Sequence, residues 1–319
     1  MSNGAASSNG GNGGRLLQRG ELGLRLGRDS NLDRSPVLDG ITLTSPDGPI
    51  DLPLAIPLRP RVGQAAVLDL AWRVAYDSGD GALWQWGVAA AARHAPTEPG
   101  TDWQYLQVRG DHWRAWGTWR TQLQLGAGRS AGPLGEPYSV VRLGAALERD
   151  FAGCTHRIGM EAEARRQQTS SYLDGNLWGA LFSSQCDLAS LSALRGWRLG
   201  AEMRASTDRP LSADRPGGRQ QQLGLTLKLA GTWGPVSTEA SATSVSAKDQ
   251  DGYSPLLENN ARRNFRQHQF QLEISYRVLA LGSASADAFL QWSDTRQTSN
   301  ISLFANSGST TYAGVRWRW

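Results

Sequence analysis

Hydrophobic and polar residues alternate with a period of two along many short segments of the chain. The clearest segment has leucine at every second position from Leu223 to Leu229, with polar residues or glycine from Gln222 to Lys228 in between. The segments 67–76 and 197–205 show the same alternation. Successive side chains of a β-strand point to opposite faces, so this period predicts strands with one apolar and one polar face.

About fourteen such segments occur, and short and long connections alternate between them. The tight connections are predicted at residues 78–81, 110–115, 150–153, 189–194, 231–235 and 279–282. The longer, polar connections are predicted at residues 28–63, 95–101, 129–137, 208–218, 248–264 and 296–306. This order predicts an all-β fold, a transmembrane antiparallel up-and-down β-barrel over residues 15–319 with short periplasmic turns and longer extracellular loops.

Residues 1–14 are excluded from this barrel. They are rich in Gly, Ser and Asn and contain no apolar stretch, so we interpret them as a flexible linker or an added tail. The barrel interpretation requires a signal peptide further upstream in a native precursor.

The last thirteen residues form the most distinctive strand. Trp317 and Trp319 fall on one face, and Arg316 and Arg318 fall on the other. Tryptophan suits the headgroup level of a bilayer, and arginine suits a wet interior. The segment resembles the C-terminal strand of bacterial outer-membrane proteins, which implies that Trp317 and Trp319 act as an insertion signal for the barrel-assembly machinery. The closing strand of a soluble β-sandwich or of a repeat array is the alternative.

The charged residues of the predicted strands are confined to one face. A charge on the lipid face at mid-bilayer costs roughly 2–4 kcal/mol, so a membrane requires this separation. A solvated face of a sandwich is the alternative interpretation. The candidate lumen-lining residues are Arg25, Arg73, Arg120, Arg157, Glu161, Glu163, Arg165, Arg198, Glu202, Arg204, Lys228, Glu273, Arg277, Arg316 and Arg318.

Arginine outnumbers the acids among these candidates. A basic lumen favours anionic or zwitterionic solutes, or acidic glycans. Structural ladders of Arg and Glu are the alternative. About fourteen strands enclose a bore wide enough for a pore or for a pore occupied by a loop.

The first long connection is too apolar for a freely solvated loop. We expect it to form a hairpin that acts as a gate or plug of the lumen, or one that extends the barrel wall above the membrane. The apolar positions are Ile50, Leu52, Leu54, Ile56 and Leu58.

Cys154 begins one predicted strand and Cys186 ends the next. The two positions are symmetric about the connecting loop, so they should lie opposite each other at the short-turn rim. An oxidising periplasm permits a disulfide there, provided that the strand geometry allows it.

Composition excludes several other classes of protein. The chain has 319 residues and a formal net charge of +4, and its arginines are dispersed, so no nucleic-acid partner is expected. No run of about eighteen apolar residues exists, which excludes a transmembrane helix. The four His lie on different segments, and neither GxSxG nor HExxH occurs. We therefore predict no enzyme activity, no metal and no cofactor.

Three short segments carry a family resemblance: GRDSN at 27–31, LLENNARR at 256–263 and SNISLF at 299–304. They resemble the C-terminal barrel of surface lipoprotein assembly modifiers and related outer-membrane proteins with tetratricopeptide repeats. The resemblance implies a fourteen-stranded barrel that assists the delivery of a lipoprotein or another protein to the cell surface. In that family a periplasmic domain of helical repeats usually precedes the barrel.

These observations lead to one location and three functional hypotheses. The location is the bacterial outer membrane, in contact with its lipid. The first hypothesis is a translocation or export channel for a lipoprotein or protein cargo. The second is a porin-like conduit for polysaccharide or small anionic solutes. The third is a non-conducting surface receptor or adhesion scaffold.

Overall fold

The computed structural model describes residues 14–132, 135–189 and 195–319, without the side chains of 135–137. Sixteen strands are present in this part of the chain: β1 (Arg15–Asp29), β2 (Leu38–Ser45), β3 (Gly48–Leu58), β4 (Gly63–Asp77), β5 (Ala82–His94), β6 (Trp103–Trp116), β7 (Trp119–Gly132), β8 (Gly135–Phe151), β9 (Cys154–Gln167), β10 (Gly175–Asp187), β11 (Trp197–Pro210), β12 (Gln220–Trp233), β13 (Val236–Asp249), β14 (Asn264–Leu281), β15 (Ala284–Ser299) and β16 (Asn306–Arg318). Short 3₁₀ turns lie in the loops at Pro99–Thr101, Ser171–Leu173 and Ser302–Phe304.

Fourteen of these strands form one closed antiparallel barrel, which confirms the predicted fold class. Each barrel strand pairs with the next barrel strand along the chain, and β1 closes the cylinder by pairing with β16. In this closing pair, Glu21 lies opposite Arg318 and Asp29 lies opposite Thr310. Strands β2 and β3 form a separate hairpin between β1 and β4. Closure removes every free sheet edge from the barrel wall.

The apolar face of each strand points away from the barrel. Leu70, Leu143 and Leu225 are 44%, 55% and 48% exposed. On the opposite face, Arg157 of β9 lies 5.9 Å from the ring of Trp113 of β6, although β7 and β8 separate the two strands. Side chains on strands so far apart meet only on the inside of a closed cylinder. The polar face therefore lines the lumen, and the apolar face forms the outer surface.

This arrangement is that of a transmembrane barrel of the bacterial outer membrane, as predicted. The described part of the chain contains no α-helical stretch with the length and apolar content of a bilayer span. We call the end of the barrel that carries both termini and the tight turns the short-turn rim, and the opposite end the loop rim. Trp317 and Trp319 lie on the outer face at the short-turn rim, where Gly20 and Trp319 exchange backbone hydrogen bonds of 2.9 and 3.1 Å.

Several predicted turn positions are wrong because the strands extend further than expected. The predicted turn at 110–115 lies inside β6, and the chain reverses at residues 117–118, where Gly117 has φ of 59°. Asp111 continues the alternation and faces the lumen, where Gln122 donates a hydrogen bond to it over 2.6 Å. The turns expected at 231–235 and 279–282 shrink in the same way to residues 234–235 and 282–283.

Two other predicted connections fall partly outside the described residues. The loop expected at 129–137 is mostly strand, since β7 continues to Gly132 and β8 begins at Gly135; residues 133–134 are not described. In the turn predicted at 189–194, residues 190–194 are not described. Of the predicted linker 1–14, only residue 14 is described.

Candidate functional site

The lumen is the candidate functional site, because it is lined by the polar face of all fourteen barrel strands. The structure places every candidate lumen residue on this inner face, at alternate positions from the exposed leucines. Strand alternation alone predicts this placement. It did not reveal their partners, which come from neighbouring strands.

Ion pairs line the middle of the lumen on the wall formed by β1 and β4–β11. Arg25 contacts Asp69 at 3.3 Å and also donates to Gln291 at 2.6 Å. Arg204 lies 3.0 Å from Glu161. Arg142 donates to Glu163 through Nε over 2.9 Å and also through a second nitrogen. Each guanidinium at this level therefore has a carboxylate partner.

Buried carboxylates anchor the wall near the loop rim. Asp208 is 1% exposed and lies 2.8 Å from Arg165 and 2.6 Å from Arg215. Asp249 is 2% exposed and accepts hydrogen bonds from Arg263 and, over 2.8 Å, from Gln220. Sequence reasoning missed both aspartates as site residues, because their importance arises from partners on other strands and loops.

A second cluster lies near the short-turn rim. Arg316 contacts Glu273 at 2.6 Å and Glu21 at 3.2 Å. Arg318 contacts Glu21 at 3.0 Å and also pairs with Asp287. This cluster joins β1 to β14, β15 and β16, so it helps to hold the barrel closed.

Four of the candidate lumen cations have no ion pair among the described residues: Arg73, Arg157, Arg198 and Lys228. All four lie in the halves of their strands nearer the short-turn rim. Arg73 stands directly opposite another arginine, Arg19 of β1. The expected basic character is therefore concentrated at this end, because carboxylates neutralise the arginines further up the bore.

The β2–β3 hairpin lies at the loop rim and forms its own sheet, so it does not continue the hydrogen-bonded wall of the barrel. Its tip reaches the loop at residues 250–263: Thr44 N donates to Leu256 O over 3.0 Å, and Asn259 N donates to Thr44 Oγ1 over 2.7 Å. Ile56 is 82% exposed. The hairpin follows β1 in the chain, and its tip contacts the β13–β14 loop. It therefore extends past the loop-rim ends of β16 and β15, which lie between β1 and β14 in the wall. Its role as a gate remains a hypothesis.

An aromatic cluster ties together the loops next to this hairpin. The guanidinium of Arg263 lies 5.0 Å from the ring of Tyr253 and 4.8 Å from that of Phe304. The two rings pack edge to face with centroids 4.7 Å apart. Burial raises the pKa of Tyr253, so its phenol stays neutral in this cluster. These contacts join the loop at 250–263 to the one at 300–305.

Cys154 and Cys186 form a disulfide between β9 and β10. The two residues are direct partners in the strand register, with Cα atoms 4.0 Å apart. They lie at the short-turn rim, where the sequence placed them.

No protein-family model and no curated protein matches the chain. The fold is similar to that of an anion-selective porin from Comamonas acidovorans, with 8% identity, a TM-score of 0.49 and coverage of 96% of this chain and 100% of that one. It is also similar to the outer membrane channel DcaP of Acinetobacter baumannii, with 10% identity, a TM-score of 0.49 and coverage of 99% and 100%. OmpT of Vibrio cholerae gives 9% identity, a TM-score of 0.45 and coverage of 98% and 99%. Structural similarity at these sequence identities and TM-scores assigns no function to this chain.

Proposed function

We propose that this barrel is a porin-like channel for small hydrophilic solutes, and not an enzyme. The observation that carries the proposal is a closed wall of fourteen strands whose inner face is polar along its length. A barrel of eight strands is filled by its side chains, whereas sixteen to eighteen strands leave an aqueous channel, so fourteen strands stand near the open end of this range.

Glycines on the inner face support an open bore. Gly126, Gly144 and Gly179 lie at lumen-facing positions of three strands between β7 and β10. A glycine contributes no side chain to the lumen, so the bore is wider along this part of the wall. Water and solutes can fill the space that larger side chains would occupy.

Single-channel conductance in planar bilayers tests the proposal. The purified barrel should give discrete current steps in salt solution. Gly144→Phe should lower the step size, because a Cβ at this position meets only ordinary contacts of 3.6 Å and the ring would project into the bore. The matched control is Ala145→Phe, which adds the same ring to the outer face and should leave the conductance unchanged.

A barrel that inserts with native heat-modifiable mobility but shows no conductance would contradict the channel. It would favour the alternative of a receptor or adhesion scaffold. Deletion of residues 38–58 then distinguishes a bore that the hairpin closes from a bore that offers ions no path at all. Current that appears only after this removal would identify the hairpin as the gate.

Delivery of a lipoprotein or protein to the cell surface is a second proposal, which rests on the family resemblance. One observation favours it: all three resembling segments lie at the loop rim, where the second contacts the third and the first contacts the strand that follows the third. Asn300 accepts a hydrogen bond from Asn264 N over 2.7 Å and donates to Arg262 O over 2.9 Å. Asn31 donates to Ser307 O over 2.7 Å. A surface-display assay with a co-expressed lipoprotein tests it, and unchanged display without the barrel would refute it.

A further inference from the structure

One sector of the lumen wall carries amides and hydroxyls in place of charges. In the strand register, Gln269 of β14 stands between Thr243 of β13 and Thr295 of β15. Gln271 stands in the same way between Ser241 and Ser293. Each of these residues is on the inner face, so β13–β15 present a neutral hydrogen-bonding surface to the middle of the bore.

The glutamines of β14 keep their side-chain amides free. Within the described part of the chain, no hydrogen bond joins the side chains of Gln267, Gln269 or Gln271 to another group, whereas Gln220 and Gln297 use theirs to hold Asp249 and Phe304 O. A glutamine amide offers two donors and one acceptor oxygen. The three residues alternate along one strand, so their side chains repeat at about 6–7 Å. Gln269 is exposed, and the other two are partly exposed.

The facing wall offers little to an ionic solute at this level. The arginine there, Arg142, is already paired with a carboxylate, and so are Arg25 and Arg204 on the walls to either side of the ladder. An ion would have to break these pairs in order to bind. A neutral molecule with many hydroxyls loses nothing on that side and gains donors and acceptors on the other.

We propose that the β14 ladder of Gln267, Gln269 and Gln271 is a binding track for neutral oligosaccharides in the lumen. This inference rests on the proposed channel function. Sugar hydroxyls both donate and accept hydrogen bonds, which matches the amide, and successive sugar rings can engage successive glutamines along the strand. Of the unpaired cations, Arg73, Arg157 and Arg198 lie nearer the short-turn rim and take no part in this track, whereas Lys228 of β12 lies in register with Ser241 and, through it, with Gln271.

The test is the interruption of single-channel current by maltohexaose, used as a neutral probe. The wild-type channel should show blockades by maltohexaose that last longer than those by a polyethylene glycol of equal hydrodynamic size. The double variant Gln269→Met, Gln271→Met keeps the side-chain length and removes the donors and acceptors. Its blockades should shorten about tenfold, because each lost hydrogen bond weakens binding several-fold.

Gln124→Met is the matched control. Gln124 also faces the lumen, but it lies on β7, on the charged wall opposite the ladder, so its replacement should leave the blockades unchanged. Equal blockades by maltohexaose and polyethylene glycol, or blockades that the double variant does not shorten, would overturn the track while the channel stands. Longer blockades by a charged oligosaccharide of the same length would also overturn it. Absence of any conductance would overturn the channel itself.

Discussion

At the scale of single residues, the lumen depends on carboxylates that the sequence does not single out. Alternation within one strand was enough to place the arginines and glutamates on the inner face. Asp208 and Asp249 lie near the ends of β11 and β13, inside segments that were expected to be loops. Their partners come from neighbouring strands and from loop residues such as Arg215 and Arg263. Such contacts depend on strand register and loop conformation, which a single-strand pattern does not contain.

Asp249 should be important for the stability of the loop rim. Asp249→Ala leaves the guanidinium of Arg263 without its carboxylate and Gln220 without its acceptor. Loss of one partner of a buried ion pair typically costs about 3–5 kcal/mol, and partial exposure of Arg263 should reduce this to about 2–3 kcal/mol. The measurement is urea unfolding of the lipid-embedded barrel, followed by tryptophan fluorescence.

Glu239→Ala is the control for that measurement. Glu239 also faces the lumen, but its carboxylate is exposed and makes no ion pair among the described residues. Its removal should change the free energy of unfolding by less than about 0.5 kcal/mol. Equal losses in the two variants would contradict the assignment of Asp249 as an anchor.

Asp80 provides a pH-dependent prediction at the short-turn rim. A hydrogen bond from Ser78, together with bonds from Ala82 N at 3.2 Å and Arg114 at 2.9 Å, lowers the pKa of Asp80 to about 2. The folded pKa lies below the unfolded value of about 3.9, so the turn is stabilised above pH 4 and loses this contribution as the pH falls towards 2. A carboxyl chemical-shift titration should give a midpoint near 2. A midpoint near 4 would show that these bonds do not form.

At the scale of elements, the sequence predicted the number of strands better than their ends. The fourteen alternating segments correspond to the fourteen barrel strands, since each needs one apolar face towards lipid. Their ends were predicted too early because glycine and polar residues resemble turn signals. Gly110 was assigned to a turn, yet its backbone pairs with Trp86 and Leu125 within the wall. A closed barrel overrides such local preferences, because each strand must satisfy its backbone groups along its full length.

The hairpin of β2 and β3 should be held in place by the tip contact with the β13–β14 loop. Thr44→Val removes the oxygen that accepts the hydrogen bond from Asn259 N. Hydrogen exchange of the Asn259 amide should then become about fivefold faster, which corresponds to the loss of one ordinary hydrogen bond. Thr42→Val is the control, because Thr42 bonds Asp51 within the hairpin and does not contact this loop. Unchanged exchange at Asn259 in Thr44→Val would contradict the contact.

At the scale of the whole molecule, two independent separations make the barrel suitable for a membrane. Apolar side chains cover the outside, and polar side chains line the bore. Within the bore, the neutral amides and hydroxyls of β13–β15 lie opposite the paired charges on β7–β9 and beside those on β1 and β11. The first separation follows from the sequence pattern. The second depends on which strands end up opposite each other, and therefore on the closed topology.

Cysteine scanning along β12 in liposomes tests the central claim of an apolar outside and a wet bore most directly. Cysteines placed singly from Leu223 to Lys228 should react with a water-soluble maleimide at 224, 226 and 228. Those at 223, 225 and 227 should resist this reagent. A fluorophore attached to them before reconstitution should be quenched by a lipid nitroxide. The native cysteines form a disulfide and should not react with the maleimide. Uniform labelling along the strand, or the opposite alternation, would contradict the account.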